Sequence, residues 1–196
     1  MTTLRVAWRR TDEVLADEHC TLAVRGSGLS LIGTVLGSEG GVPVRTEYRV
    51  LADAAGLTTA VHVRDQRGFD QRTLTVERST KGAWTVNGVA DRALKGCTDI
   101  DLGCSPSTNT LPIRRLRLAV GGSATIAAAW VRFPELEVVK AAQTYTRLDE
   151  FTYRYASGDF TADLTVDEDG LVTTYAEWQR TGMAFGPEAS ESLDSR

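Results

Sequence analysis

Apolar and polar residues alternate along most of this chain, a pattern typical of half-buried β-strands. Residues 4–10 are the first such segment. In residues 42–51 valine, threonine and tyrosine share one face, whereas Arg45, Glu47 and Arg49 share the other. Turn signals, the strongest of which is Asn87-Gly88, separate these segments about every ten residues. The pattern therefore predicts about a dozen strands joined mainly as hairpins.

A single sheet with so many strands must curl or split, because strongly twisted open sheets seldom exceed about ten strands. We therefore predict an all-β fold, a large rolled antiparallel β-sheet or β-barrel of roughly a dozen strands with little helix. Residues 1–182 are expected to form this single domain. Residues 183–196 contain Ser, Glu and Gly without periodicity, which predicts a flexible C-terminal tail.

One stretch, residues 96–118, departs from the alternation and carries most of the candidate chemistry. Asp99 and Asp101 are two residues apart, so they point to the same side of an extended chain. Residues 105–109 are turn formers. The following run, 113–118, fits either a short helical turn that leads into a strand or a strand throughout. An acidic pair followed by an arginine pair predicts either an internal ion-pair network or a polar binding site.

The same stretch carries a resemblance to a known family. The sequence DIDLGCSPSTNTLPIRRL, followed by AAWVRFPELEV at 128–138, resembles the signature of a bacterial family described as putative glycolipid-binding proteins. The resemblance extends over about residues 4–180. It implies a rolled β-fold similar to that of bacterial lipid and lipoprotein carriers, and it implies glycolipid binding. It brings no catalytic residues.

Composition narrows the possible partners. The net charge is −4 and the pI is near 5.3, which argues against a nucleic-acid-binding protein and weakens attraction to an anionic membrane. No apolar run is long enough to span a bilayer, and no signal peptide is recognisable. We therefore expect a cytoplasmic protein without a transmembrane segment.

Cysteine and histidine content restricts the chemistry further. In a reducing compartment we expect Cys20, Cys97 and Cys104 to be free thiols, with a Cys97–Cys104 bridge only under oxidation. His19 and His62 have no zinc-site spacing and lie in no recognisable hydrolase motif. The chain has neither a P-loop nor a GxGxxG motif after a strand. The sequence thus predicts no metal, no cofactor and no catalytic residue.

A rolled sheet of this size encloses more space than its own side chains fill, which favours an internal ligand. Sugar rings stack on aromatic faces, acyl chains need apolar walls, and a guanidinium suits a phosphate or carboxylate group. The predicted ligand-binding residues combine the polar groups of the central stretch with aromatic residues of the strands: Asp99, Asp101, Asn109, Arg114, Arg115, Trp84, Trp130, Arg132, Tyr145 and Tyr153.

Each of these residues also has a structural interpretation. The aromatic residues fit an ordinary core. Arg132 shares a face with Trp130, and it either faces solvent or pairs with one of the two aspartates. Arg114 and Arg115 fit ion pairs with Asp99 or Asp101 as well as a head-group site.

We expect non-catalytic binding of an amphipathic ligand, a glycolipid, in an apolar cavity or groove with a polar Asp/Arg end. The alternative is a hydrolase that acts on a sugar or a lipid ester through Asp99 and Asp101. Their Cα atoms would lie about 6.5–7 Å apart on a strand, and glycosidases place their two carboxyl groups about 5–10 Å apart. A third hypothesis is an interaction module that pairs through an exposed sheet edge.

Overall fold

A single sheet of 15 strands makes up most of the protein in a computed structural model that describes residues 2–12 and 15–186. The strands are β1 (Thr2–Arg10), β2 (Leu15–Arg25), β3 (Gly28–Glu39), β4 (Val42–Asp53), β5 (Thr58–Arg67), β6 (Asp70–Arg78), β7 (Trp84–Val86), β8 (Val89–Asp91), β9 (Asp99–Leu102), β10 (Ser123–Arg132), β11 (Glu137–Arg147), β12 (Thr152–Ser157), β13 (Phe160–Val166), β14 (Val172–Tyr175) and β15 (Trp178–Phe185). One short helix, α1 (Thr110–Leu116), follows a 3-10 turn at Ser107–Asn109. This helix is too short to cross a bilayer, and no other described helix is long or apolar enough to do so.

The sheet is mostly antiparallel. Its strands follow the order β8 to β1 and then β15 to β9, so that β1 pairs with β15 and joins two runs of hairpins. Only β9 lies parallel to its neighbour, β10. The predicted all-β class is confirmed. Of the two predicted architectures, the structure has the open sheet, because its ladder ends at β8 and β9 without closing.

The sheet nevertheless curls until its β9 edge reaches β5. The Thr58 N–H donates to the carbonyl of Thr98 at 3.0 Å, and the Ile100 N–H donates to Thr58 Oγ1 at 3.1 Å. The Trp84 indole also donates to the carbonyl of Cys97 at 3.1 Å. The roll is therefore held along this line by single hydrogen bonds.

Alternation places the core where the sequence predicts it. In β4 the side chains of Thr46, Tyr48 and Val50 are buried, and the residues between them lie nearer the surface. A Cβ atom at Gly33 would lie 2.3 Å from the Tyr48 ring, so glycine on β3 makes room for the inward tyrosine. Such contacts fill the interior with apolar side chains from both runs of hairpins.

The interior of the roll is crossed by the chain itself. Residues 105–113 are all buried, and they return through the interior as the 3-10 turn and α1. The sequence left a strand or a helical turn open for residues 113–118, and the structure contains the helix, which ends at Leu116. This crossing segment divides the remaining interior space between the two ends of the roll.

We name the two ends by the residues that line them. In a run of hairpins, successive turns lie at opposite ends of the sheet. The aromatic end carries the β3–β4, β5–β6, β12–β13 and β14–β15 turns, whereas the arginine end carries the β2–β3, β4–β5, β11–β12 and β13–β14 turns. The crossing segment enters at the aromatic end after Leu102 and reaches the arginine end at Arg117.

The last strand extends past the predicted domain boundary. Strand β15 continues to Phe185, which pairs with Leu4, so residues 183–185 belong to the sheet and not to a tail. The rest of the predicted tail, 187–196, lies outside the described residues. The thiols of Cys20, Cys97 and Cys104 are all free.

Candidate functional site

A cavity of about 360 Å³ opens at the aromatic end, between the crossing segment and the β12–β15 strands. Its walls are mainly aromatic, and its polar groups come from β9, the 3-10 turn and the strand ends. Aromatic residues of this wall are Trp130, Tyr155, Phe160, Tyr175 and Trp178. Polar residues that line it include Arg10, Asp101, Ser105, Asn109, Ser157 and Glu177.

The aromatic wall is a connected set of rings. Tyr155 lies at its centre, with ring centroids 5.3 Å from Tyr145, 6.0 Å from Phe160 and 5.9 Å from Tyr175. Tilted and edge-to-face pairs at these distances stabilise one another and fix the ring planes. Trp130 is 36% exposed at the rim of the cavity. The wall therefore presents preformed aromatic surface, some of it in contact with solvent.

Asp101 supplies the carboxylate of this cavity. Gln143 Nε2 donates to its Oδ2 at 2.6 Å, and Thr108 Oγ1 lies 3.4 Å from its Oδ1. No cation pairs with Asp101 among the described residues. Burial raises the pKa of Asp101 to about 6, and the two hydrogen bonds oppose this rise only in part. Asp101 therefore remains an acceptor with unused lone pairs beside an aromatic wall.

Asn109 and Tyr145 support the floor behind Asp101. The Tyr145 hydroxyl donates to Asn109 Oδ1 at 2.8 Å, and Asn109 Nδ2 donates to the carbonyl of Pro106 at 3.1 Å. These bonds orient the amide in the cavity. Gln143 was not predicted as a site residue. The available signal was its position two residues before Tyr145 on one strand, which puts both side chains on the same face.

A second cavity, of about 190 Å³, lies next to the first and shares Arg10, Gly103 and Trp178 with it. Its lining combines aliphatic residues with the charged residues Arg10, Glu39 and Arg67. Leu15, at its rim, is 71% exposed. The apolar residues of this cavity are Leu15, Ala16, Val35, Val44, Cys104, Phe133 and Trp178. An aromatic, hydrogen-bonding cavity and a smaller cavity with an aliphatic wall thus lie side by side at one end of the roll.

A buried carboxyl group, Glu18, packs against the crossing segment near these cavities. It is 2% exposed, and its Oε1 accepts hydrogen bonds from Ser105 Oγ at 2.7 Å and from the Tyr48 hydroxyl. Its Oε2 has no partner within the described part of the chain. Burial raises the pKa of Glu18 to about 7. The sequence signal for its burial was the alternation in β2, which places Glu18 on the same face as the buried residues Cys20 and Leu22.

Two predicted arginines lie at the other end. Arg115 Nη2 bonds Asp99 Oδ2 at 2.5 Å, and Asp99 also accepts from Thr98 Oγ1 at 2.6 Å. The Asp99 side chain is 1% exposed. Arg114 donates to the carbonyl of Asp169. The structural interpretation of Arg115 and Asp99 as an ion pair is therefore what the structure contains.

The other predicted residues are dispersed. Trp84 lies in the core, and Tyr153 lies at the arginine end with the Arg147 guanidinium 5.7 Å from its ring centroid. Arg132 pairs with Glu137 at 3.1 Å and lies 5.6 Å from the Trp130 ring centroid, so it has neither aspartate as partner.

The ten predicted residues therefore do not form one site. The structure brings four of them together at the aromatic end, where Asp101, Asn109 and Trp130 line the cavity and Tyr145 lies behind them. Within residues 2–12 and 15–186, no three His, Cys, Asp or Glu side chains are grouped so as to hold a metal ion.

Comparison with known proteins agrees with this architecture. A crystal structure of a DUF1089 family protein from Pseudomonas aeruginosa is similar, with a TM-score of 0.75 and 33% sequence identity over 89% of this chain and 95% of that chain. No curated protein matches the chain. The model of a family described as "Putative glycolipid-binding" matches residues 5–180. Because this match covers most of its length, the chain belongs to that family.

Proposed function

We propose that this protein binds, without catalysis, an amphipathic ligand whose sugar head group occupies the cavity at the aromatic end. The observation that carries the proposal is the pair of adjoining cavities, one aromatic and hydrogen-bonding, the other with an aliphatic wall, with Gly103 and Trp178 shared between them. A glycolipid has the same two halves joined by one bond. The description of the family supports this ligand class.

The head group would use two kinds of contact. The rings of Trp130, Tyr155 and Tyr175 offer faces on which a sugar ring stacks. The carboxylate of Asp101 accepts hydrogen bonds from sugar hydroxyls, and such charge-assisted bonds are stronger than neutral ones. A neutral polyol needs no cation, which agrees with an aspartate that has only neutral partners.

The acyl chain would extend into the second cavity. Val35, Val44 and Phe133 line it, and Leu15 marks where it opens to solvent. Burial of an alkyl chain contributes about 0.8 kcal/mol per methylene. Affinity should therefore rise with chain length until the chain leaves the cavity.

The hydrolase alternative draws on one observation, the raised pKa of Asp101 in an aromatic cavity, which suits a general acid. Its second carboxylate is harder to assign. Asp99 is engaged by Arg115 and does not line the cavity, so Glu177 would have to take that role. A turnover assay with aryl glycosides and lipid esters tests this alternative directly.

The binding proposal is tested by titrating the protein with alkyl glycosides of increasing chain length, below their micellar concentration, and following tryptophan fluorescence. Alkyl phosphocholines of equal chain length report the contribution of the sugar. We expect Asp101→Asn to weaken glycoside binding about tenfold, a loss of about 1.4 kcal/mol. Asp163→Asn, an exposed aspartate on the same sheet, is the matched control. Equal affinity of both variants for the glycosides, or equal affinity for both head groups, would overturn the proposal.

A further inference from the structure

The arginine end holds a separate cavity of about 430 Å³ beside the last turn of α1. We call it the arginine pocket and define it by Arg25, Arg114, Arg115 and Arg117 together with the turns at 26–28 and 53–56. We propose that the arginine pocket binds the phosphate group of a phosphate ester. The proposal is independent of glycolipid binding, because it concerns different residues at the opposite end of the roll.

The charge balance of the pocket is the first argument. Four arginines line it together with a single acidic residue, Asp53, although the whole chain has a net charge of −4. Asp53 Oδ1 already accepts hydrogen bonds from the backbone N–H groups of Ala55 at 2.9 Å and Leu57 at 3.0 Å. Asp53 is thus committed to its turn, and the charges of Arg25 and Arg117 are left without an ion-pair partner among the described residues.

The arginines of the pocket differ in how they are held. Arg115 is fixed by an ion pair with the buried Asp99, and Arg114 is fixed by the carbonyl of Asp169, whose carboxylate also lies 3.8 Å from its guanidinium. In contrast, Arg25 and Arg117 are exposed and have no ion pair or side-chain hydrogen bond to any residue that the structure describes. Two of the four guanidinium groups are therefore held by acidic residues, and the other two, of Arg25 and Arg117, are free to close on an anion.

A purely structural role does not account for all four arginines of the pocket. Arginines in the last turn of a helix interact favourably with its C-terminal carbonyl groups, which explains Arg114 and Arg115. Arg25 is on β2, outside the helix. Arg117 follows the helix and has a left-handed backbone with φ of 47°, a conformation that usually favours glycine. A large cationic side chain at this position needs another reason.

The geometry favours phosphate among the common anions. Planar guanidinium forks bind two oxygens at once, and a phosphate monoester offers three oxygens to several forks. The turn at Gly56 approaches closely, since a Cβ atom there would lie 3.1 Å from Arg115 Cβ. The volume exceeds that of a bare phosphate, so the pocket has room for part of an ester. The source is either a soluble phosphate ester or a phospholipid head group.

Calorimetric titration with inorganic phosphate and with glycerol 3-phosphate tests the pocket, and sedimentation with phosphatidylcholine vesicles with or without phosphatidate tests the lipid source. We expect Arg25→Ala and Arg117→Ala each to weaken phosphate binding about tenfold. Both side chains are exposed and unpaired, so the variants should remain folded, which thermal unfolding verifies. Arg64→Ala removes an exposed arginine that lines none of these cavities and is the matched control.

The outcomes separate the sources. Saturable binding of glycerol 3-phosphate without vesicle binding identifies a soluble ester. Vesicle binding that requires phosphatidate and is lost in Arg25→Ala and Arg117→Ala identifies a lipid head group. Either result supports the arginine pocket whatever the glycoside titration gives. Absence of phosphate and vesicle binding, or an equal loss in Arg64→Ala, overturns it.

Discussion

The two ends of the roll treat their buried carboxyl groups differently. At the arginine end, Asp99 is neutralised by a guanidinium at 2.5 Å, and at the aromatic end Asp65 is likewise neutralised by Arg67 at 2.8 Å. Toward the aromatic end, Asp101 and Glu18 accept hydrogen bonds only from neutral groups, and burial raises their pKa values to about 6 and about 7. A carboxylate buried without a cation costs free energy in the ionised state. Both ends therefore contain a neutralised buried carboxylate, and the aromatic end also retains two costly groups beside a cavity.

This difference separates polar groups that stabilise the fold from polar groups that are available to a ligand. Perturbed pKa values occur preferentially at functional sites, although structural networks also perturb them. At the arginine end, the buried Asp99 is neutralised by Arg115, and the groups that are left to bind a ligand are exposed arginines. At the aromatic end, the groups with unused hydrogen-bonding capacity are the buried carboxyl groups of Asp101 and Glu18. A neutral ligand rich in hydroxyls suits the aromatic end, and an anion suits the arginine end.

The largest expected effect comes from breaking the ion pair between Arg115 and Asp99. Arg115→Ala leaves Asp99 buried without a cation, so we expect the free energy of unfolding to fall by about 3–5 kcal/mol. Chemical denaturation measures the loss. Arg117→Ala, two residues further along, is the control and should change stability by less than about 0.5 kcal/mol. Similar values for both variants would mean that Asp99 does not depend on this arginine.

A smaller effect is expected from Glu18 in the pH dependence of stability. The folded-state pKa of about 7 lies above the ordinary value of 4.5, so the folded protein holds this proton more tightly than the unfolded chain. The stability contribution is full below pH 4.5 and is lost as the pH rises through 7, by up to about 3 kcal/mol.

Glu18→Gln should flatten the stability profile over this window, as measured by urea unfolding at several pH values. Asp163→Asn serves as the control. Its hydrogen bond with Arg154 lowers the pKa of Asp163, which gives the opposite sign, so that variant should leave the fall between pH 4.5 and 7 in place. A fall that persists unchanged in Glu18→Gln would assign it to other groups, with Asp101 the next candidate.

The smallest effect concerns one ring at the cavity rim. Trp130→Ala should weaken alkyl glycoside binding by about 1 kcal/mol through the loss of stacking, while phosphate binding at the arginine pocket stays unchanged. Fluorescence titration of the remaining tryptophans and calorimetry give the two values. A parallel loss of both ligands would show that the two ends are not independent.

The strands were predictable because alternation has a period of two and reports burial directly. The hairpin at Asn87-Gly88 formed as expected, with φ of 49° and 79°. Alternation does not say what a buried face packs against, so the path of residues 105–116 through the interior was not foreseen. The alternation in β2 also marks Glu18 as an inward residue, but its partners Tyr48 and Ser105 come from distant segments of the chain.

For the same reason the sequence could not show which candidate residues are structural and which line a cavity. Asp99 and Asp101 are two residues apart on β9, yet one meets Arg115 and the other meets Gln143. Which aspartate is neutralised depends on how far α1 reaches toward the arginine end. That distance is set by packing against strands far away in the chain.

The ladder between β1 and β15 joins the first strand of the chain to the last, with Leu4 opposite Phe185. During synthesis β1 precedes β15, and one of its edges stays unpaired until β15 leaves the ribosome. Contacts between such distant residues form slowly, because a long loop must close first. An unpaired edge is a template for pairing with other chains. A chain truncated before Trp178 would thus leave this edge of β1 open and exposed to aggregation.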